Sequence, residues 1–154
     1  IIKMEEIVVP ITKNKEIVQP VLTDIRTCWV QVKEGIEAIL SANSHLTYMA
    51  EDVYSECVND RAMLFTSPLG FVVLTIEVDP FTDAKTLVVW VGYVYEIGKN
   101  NWLDHIDWFD NLAQHLGCRF IEAQSAVPEL ESYFTSTGWE LETKIYTREV
   151  PYGE

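Results

Sequence analysis

The stretch KTLVVWVGYVYEI (85–97) decides the fold, because a second strand-like run follows it after a single helix. Between the two runs, residues 102–116 place apolar side chains at steps of three and four, the period of an amphipathic helix. Gly117 stands where a glycine commonly ends a helix, and CRFIEAQS (118–125) then returns as a strand. Two strands joined by a crossover helix form a βαβ unit, so these strands are predicted to run parallel.

Two further strands are predicted upstream of this unit, at AMLFTS (62–67) and GFVVLTIEVD (70–79). The turns between the strands are short, Pro68-Leu69-Gly70 in one case and PFTDA (80–84) in the other. Turns of this length connect antiparallel neighbours, so the three strands from 62 to 97 are predicted to form a meander.

Helices are predicted on the N-terminal side of the meander, over 23–42 and 50–59. Thr23 or Asp24 can cap the start of the first helix, and Asn43 can end it. These two segments show the apolar stripe of helices that cover a sheet.

Further short elements are predicted near the two ends of the chain. A first strand is predicted at 7–11 or at 17–22, and the proline in each makes it an edge strand or a strand end. A short helix is predicted over 128–137, ended by Gly138, and a closing hairpin at 139–143 and 145–150. The resulting prediction is an α/β fold, a mixed sheet of about six to seven strands with helices on both faces.

Length and composition indicate one domain over 1–154, with residues 1–6 either disordered or foreign to it. Apolar residues make up 48%, and no apolar run reaches the roughly 18 residues of a membrane span. The three cysteines include no CxxC pair, which indicates reduced thiols in a cytoplasmic protein. His105 and His115 point to different sides of their helix, so no metal site is predicted.

The chain is acidic, with a net charge of −13 from 11 basic and 24 acidic residues. No basic stripe exists, which argues against direct binding to nucleic acid. The acidity has three interpretations: solubility, a surface for a basic partner, or imitation of nucleic acid.

The element order resembles the GNAT superfamily of acyl-CoA-dependent N-acetyltransferases over roughly residues 17–150. Two local patterns support the resemblance: QHLGCRFIEAQS (114–125), and YFTSTGWELETKIYTREV (133–150), which is similar to the closing segment of the family. The helix start YMAEDV (48–53) looks most like small GNAT-like proteins of tailed phages.

The resemblance implies an acetyl-CoA site. The strand equivalent to 85–97 would splay from its neighbour and pair with the pantetheine arm, and the next loop would wrap the pyrophosphate. Free backbone N–H groups at a helix N-terminus favour such an anion. In this chain the loop keeps one glycine, and the carboxylate of Asp104 opposes an anion there. The implied cofactor-binding residues are Val94, Tyr95, Ile97, Gly98, Lys99, Asn100 and Asn101.

The resemblance also assigns catalytic positions. The general-acid tyrosine of the family falls on Phe134, which has no proton to donate, and a frequent asparagine falls on Val127. Tyr133 is the adjacent candidate acid, and Glu77 and Glu96, near strand ends, are candidate bases for a substrate amine.

Three functions therefore stay open at this point. The first is an acyl-CoA-dependent N-acyltransferase acting on a basic amine, such as a polyamine or a Lys-rich protein. The second is a non-catalytic GNAT-fold interaction protein, plausibly phage-encoded and acting in the virion or in the host cytoplasm. The third is an acidic inhibitor that mimics nucleic acid.

Overall fold

The computed structural model describes residues 19–95, 102–124 and 129–151. The chain forms two compact units, Ile1–Gln124 and Ser125–Glu154, and each is described by itself. Within the described residues, the first unit holds a five-stranded sheet in the order β1-β2-β3-β4-β5. The prediction of a single domain stays a prediction.

The sheet begins as an antiparallel meander and ends with one parallel pair. This arrangement confirms the predicted meander and the predicted parallel βαβ pair. The strands are β1 (Val21–Leu22), β2 (Met63–Ser67), β3 (Gly70–Val78), β4 (Lys85–Val94) and β5 (Phe120–Ala123).

Helices cover both faces of this sheet, as predicted. Helices α1 (Trp29–Ala42) and α2 (Ala50–Val58) pack on one face, where Ile36 and Val53 join Phe71 and Val73 in a buried cluster. Helix α3 (Ile106–His115) packs on the other face. There, Trp108, Phe109 and Leu112 join side chains of β2, β3 and β4 in a second buried cluster.

The predicted first helix over 23–42 is wrong at its start. Residues Ile25–Thr27 form a separate 3₁₀ turn, which Asp24 caps by accepting a hydrogen bond from the Arg26 N–H at 3.0 Å. The backbone of Cys28 is not helical, and α1 begins only at Trp29. The periodic pattern cannot detect one non-helical residue inside an apolar stripe, because the stripe continues on both sides of it.

Glycine ends α3 as predicted. Gly117 has a φ of +73°, its N–H donates to the Gln114 carbonyl, and the Cys118 N–H donates to the Ala113 carbonyl. This pair of bonds is the Schellman motif, and it turns the chain directly into β5.

In the second unit, α4 (Glu129–Ser136) also ends at a glycine, Gly138, with a φ of +93°. The predicted closing hairpin is wrong for the described residues, because 139–151 contain no strand. Apolar side chains in this segment are exposed, including Ile145 and Tyr146. Alternation shows only that a segment can form a strand, whereas a strand also requires a partner edge. The described sheet therefore has five strands instead of six to seven.

Candidate functional site

A β-bulge divides β4 into two halves. Val73 of β3 pairs with Val91, and the next residue of β3, Leu74, pairs with Val89, so Trp90 has no partner in this ladder. Trp90 and Val91 consequently pack on the same face, with the cluster under α1 and α2. Strict alternation along β4 would place Trp90 on the face of Gly92 and Val94, and the bulge breaks this alternation.

The parallel ladder between β4 and β5 stops at the bulge. Its four pairs run from Thr86 with Phe120 to Val89 with Ala123. Beyond Val89, β4 continues to Val94, but no described strand pairs with this side of it. We call Thr86–Val89 the closed half of β4 and Trp90–Val94 the open half.

The open half presents backbone groups away from β3. The Tyr95 N–H donates to the Leu69 carbonyl at 2.9 Å, so the amide of Tyr95 faces the β3 side. Alternate residues of a strand face alternate neighbours, so the N–H and C=O groups of Gly92 and Val94 face the opposite side. No strand among the described residues pairs with these groups, and we call them the free edge of β4. An extended ligand with amide groups can pair with such an edge as a strand would.

Trp102 holds the start of the α3 region against the open half. Its indole N–H donates to the Tyr93 carbonyl at 3.1 Å, and its side chain is buried. A Cβ added to Gly92 would lie 3.7 Å from the Trp102 ring, which is an ordinary contact, and Gly92 itself is exposed. The backbone beside Gly92 is therefore accessible to a ligand.

Of the predicted cofactor-binding residues, Val94 and Tyr95 are described, and both lie at the end of the open half. Val94 is half-buried, whereas the side chain of Tyr95 is 37% exposed. Burial, together with nearby Cys28 and Tyr93, raises the pKa of the Tyr95 hydroxyl, so it stays protonated at neutral pH. The other predicted residues lie outside the described residues: Ile97, Gly98, Lys99, Asn100 and Asn101.

Of the three predicted catalytic residues, only Glu77 is described within the first unit. Glu77 is exposed and pairs with Thr86, at the closed end of β4. Glu96 lies outside the described residues, and Tyr133 lies on α4 in the second unit. Their catalytic roles stay predictions.

Phe134 has a structural role within the second unit. Its carbonyl accepts a hydrogen bond from the Trp139 N–H at 3.0 Å, and the two rings pack edge to face with centroids 5.3 Å apart. This contact is the apolar pair that accompanies a helix C-cap. The position that the family resemblance assigns to a proton donor is thus occupied by a packing residue.

Sequence reasoning did not single out one feature at the bulge, a contact between the rings of Trp90 and Tyr48. Their centroids lie 5.4 Å apart, and both side chains are half-buried. Tyr48 comes from the segment before α2, distant in sequence from β4. No sequence signal joins them, because a bulge depends on the register of two strands and not on the residue that it displaces.

The three cysteines are free and half-buried. Burial, with smaller contributions from Glu56 and Cys28, raises the pKa of the Cys57 thiol to about 12. A thiol with this pKa is protonated at neutral pH and is a poor nucleophile.

The solved structures that resemble this chain share one fold. No protein-family model and no curated protein matches the sequence. Among solved structures, ribosomal-protein-alanine N-acetyltransferase from Brucella melitensis biovar Abortus 2308 is similar, with a TM-score of 0.62 and 14% identity. The match covers 88% of this chain and 99% of that one.

Two other solved structures agree. Glucosamine-6-phosphate N-acetyltransferase from Arabidopsis thaliana has a TM-score of 0.63 at 11% identity, over 88% of this chain and all of the other. The aminoglycoside acetyltransferase meta-AAC0020, from an uncultured soil metagenomic sample, has a TM-score of 0.61 at 9% identity, over 88% of this chain and 95% of that one. The chain has a GNAT-like fold. At these identities the likeness establishes the fold alone.

Within the described ranges 19–95, 102–124 and 129–151, no helix is long and apolar enough to cross a membrane. The same residues contain no group of three or more His, Cys, Asp or Glu side chains that could hold a metal ion.

Proposed function

We propose that this GNAT-like chain binds an acyl-CoA thioester along the free edge of β4 and transfers the acyl group to an amine. The observation that carries the proposal is the bulge at Trp90, which coincides with the end of the ladder between β4 and β5. It leaves the amides of Gly92 and Val94 available, and their spacing suits an extended ligand that carries its own amide groups.

Acetyl-CoA fits this edge chemically, since its pantetheine arm contains two amide groups. The arm would pair with the N–H and C=O groups of Gly92 and Val94. Residues 96–101 would then hold the phosphates, as the family resemblance implies. The thioester supplies an activated acyl carbon to an attacking amine, and the residues of the chain would position the two reactants.

A thermal shift measurement tests the binding step. A ligand that binds the folded state at 100 times its Kd stabilises the protein by about 2.7 kcal/mol. For a chain of this size we expect acetyl-CoA at millimolar concentration to raise Tm by several degrees, since about 1 kcal/mol corresponds to roughly 2–4 °C. A Tm that stays unchanged would contradict the proposal.

A variant pair at Gly92 tests the location. Proline at 92 removes the N–H of the free edge but no bond to β3, because that N–H faces away from β3. We expect Gly92→Pro to weaken acetyl-CoA binding at least about tenfold, the effect of one lost hydrogen bond to a bound ligand. Gly92→Ala is the matched control, because its Cβ makes only an ordinary contact with Trp102 and its N–H remains.

The contact between Phe134 and Trp139 favours a second candidate, an interaction protein of GNAT-like fold that has lost catalysis. Such a protein would be phage-encoded and would act through a virion or host partner. Incubation with acetyl-CoA and a panel of amines separates the two candidates. Release of coenzyme A with matching N-acetyl product supports transfer, whereas binding of acetyl-CoA without product supports the interaction protein.

A further inference from the structure

We propose that the ring pair formed by Tyr48 and Trp90 recognises the cationic end of a diamine or polyamine acceptor. This inference rests on the proposed function, because it names the acceptor for the same site. It is carried by the position of the two rings at the bulge, by their incomplete burial and by the charge of the surrounding chain.

Position is the first argument. A thioester arm paired with the free edge would run along the open half of β4, from Val94 towards the point where the ladder with β5 begins. From Val94 to Trp90 the strand spans four residues, about 13 Å at the usual rise per residue. The reactive end of the arm would therefore lie near the bulge, where the ring of Trp90 turns towards the face covered by α1 and α2.

Ring chemistry is the second argument. The centroids of Tyr48 and Trp90 lie 5.4 Å apart, and their planes are tilted by 55°. Both side chains are half-buried, so each keeps part of its surface accessible. Two inclined rings form a corner that attracts an alkylammonium group through the negative faces of the rings, with tryptophan as the strongest partner.

Charge is the third argument. Residues 34–60, which contain Tyr48 and α2, carry six acidic residues and no lysine or arginine. Exposed cations from outside the segment compensate part of this charge: Lys33 lies 3.1 Å from Glu51 and 3.7 Å from Glu37, and Arg61 pairs with Glu56. The segment remains net negative with these two cations included, which favours a cationic ligand over a neutral or acidic one.

An acceptor that is held by the rings and acylated at the same site must carry two nitrogens. The attacking amine must be uncharged, so the group held by the rings is a second, cationic nitrogen of the same molecule. The attacking nitrogen forms a bond to the acyl carbon, and the bond from that carbon to sulfur breaks. The thiolate takes up the proton that the new amide nitrogen loses, which leaves coenzyme A and an N-acyl diamine.

A matched pair of acceptors tests the selectivity. Cadaverine is a five-carbon diamine, and the aminopentanol of equal length replaces its second ammonium group by a hydroxyl. We expect kcat/KM for cadaverine to exceed that for aminopentanol about tenfold, within the range of a partly desolvated cation–π contact. Equal values for the two acceptors would overturn the proposal.

Three variants locate the effect. Tyr48→Leu should reduce this selectivity about fivefold, whereas Tyr48→Phe should retain it because the ring remains. Tyr54→Leu is the control: Tyr54 is also half-buried, but it packs against Trp29 on the helices, with centroids 4.9 Å apart. A loss of selectivity in Tyr54→Leu equal to that in Tyr48→Leu would contradict a specific role for the ring pair.

A measurement without acetyl-CoA separates failure of this inference from failure of the proposed function. The indole N–H resonance of Trp90 can be assigned by its disappearance in Trp90→Phe. We expect cadaverine to shift it in the wild-type protein and in Tyr54→Leu, and to shift it much less in Tyr48→Leu. Pentanediol should leave it unchanged. If cadaverine does not shift the resonance, the inference is wrong even where acetyl-CoA binds. If cadaverine shifts it but acetyl-CoA does not bind, the rings recognise the diamine and it is the proposed acyl transfer that fails.

Discussion

The two halves of β4 belong to one strand but have different neighbours. The closed half, Thr86–Val89, pairs with β3 on one side and with β5 on the other. The open half, Trp90–Val94, pairs with β3 alone among the described residues. The change occurs at a single displaced residue, Trp90, so one local irregularity converts an interior strand into an edge. An unpaired strand edge presents N–H and C=O groups with which an extended chain can form a new ladder.

Hydrogen exchange should show the largest difference between the halves. The amide of Leu87 lies inside the parallel ladder, so its exchange requires opening of the sheet, whereas the amides of Gly92 and Val94 face the free edge. We expect opening free energies to differ by about 5 kcal/mol or more, since a ladder in the core approaches the global stability. Amide exchange measured by NMR gives these values, and similar protection of Gly92 and Leu87 would mean that the edge is covered. Saturating acetyl-CoA should slow exchange at Gly92 and Val94 but not at Leu87.

Shortening of one side chain in each half should give the next largest difference, in the free energy of unfolding. Leu87 is fully buried, so Leu87→Ala should lower the free energy of unfolding by about 3 kcal/mol. Val94 is half-buried and loses fewer atoms, so Val94→Ala should cost about 1 kcal/mol. Urea denaturation measures both, and equal losses would contradict the structural distinction between the halves.

Deletion of residue 90 from the chain should abolish the open half of β4. Val89 and Val91 face opposite sides of the sheet, so without Trp90 the strand alternates regularly and can continue its ladder with β5. We expect this deletion to eliminate the stabilisation by acetyl-CoA, about 2.7 kcal/mol at 100 times Kd, measured as the loss of the thermal shift. Trp90→Ala is the control, since it keeps the extra backbone residue and should keep the shift. Loss of the shift in both variants would indicate that the Trp90 side chain, not the bulge, is required.

Replacement of Gly117 or Gly92 by alanine should give the smallest difference in the free energy of unfolding. Gly117, at the entry to β5, has a φ of +73°, so Gly117→Ala should cost about 1 kcal/mol. Gly92→Ala in the open half meets only the Trp102 ring at 3.7 Å and should change stability by less than about 0.5 kcal/mol. Chemical denaturation of both variants decides this, and a larger cost at Gly92 would indicate that its backbone is constrained in a way that the contacts do not reveal.

The fold was predictable where the sequence contains local signals. The turn at 80–84 is an example, because the Asp79 side chain accepts hydrogen bonds from the N–H groups of Phe81 and Thr82. Gly117 marked the end of α3 for the same kind of reason, a backbone conformation that glycine adopts without strain. Such features depend on a few neighbouring residues, and the sequence alone is enough to predict them.

The candidate site was predictable only in part. A glycine inside a strand often marks a bulge, but here the bulge lies at Trp90, two residues before Gly92, and the Trp90 side chain gives no such signal. The closing hairpin failed for a related reason, since the alternation in 139–150 says nothing about an available partner edge. Both features are relations between distant segments, which the pattern of one segment does not contain.

The hydrogen bond from the Trp102 indole to the Tyr93 carbonyl has a consequence for variation in the chain. It fixes one flank of residues 96–101 to the open half of β4, and the bond from the Tyr95 N–H to Leu69 fixes the other flank to the same sheet. Both flanks are therefore positioned by the sheet itself, through backbone groups of Tyr93 and Tyr95. Substitutions between the two anchors are therefore expected to leave the sheet, its bulge and its helices as they are.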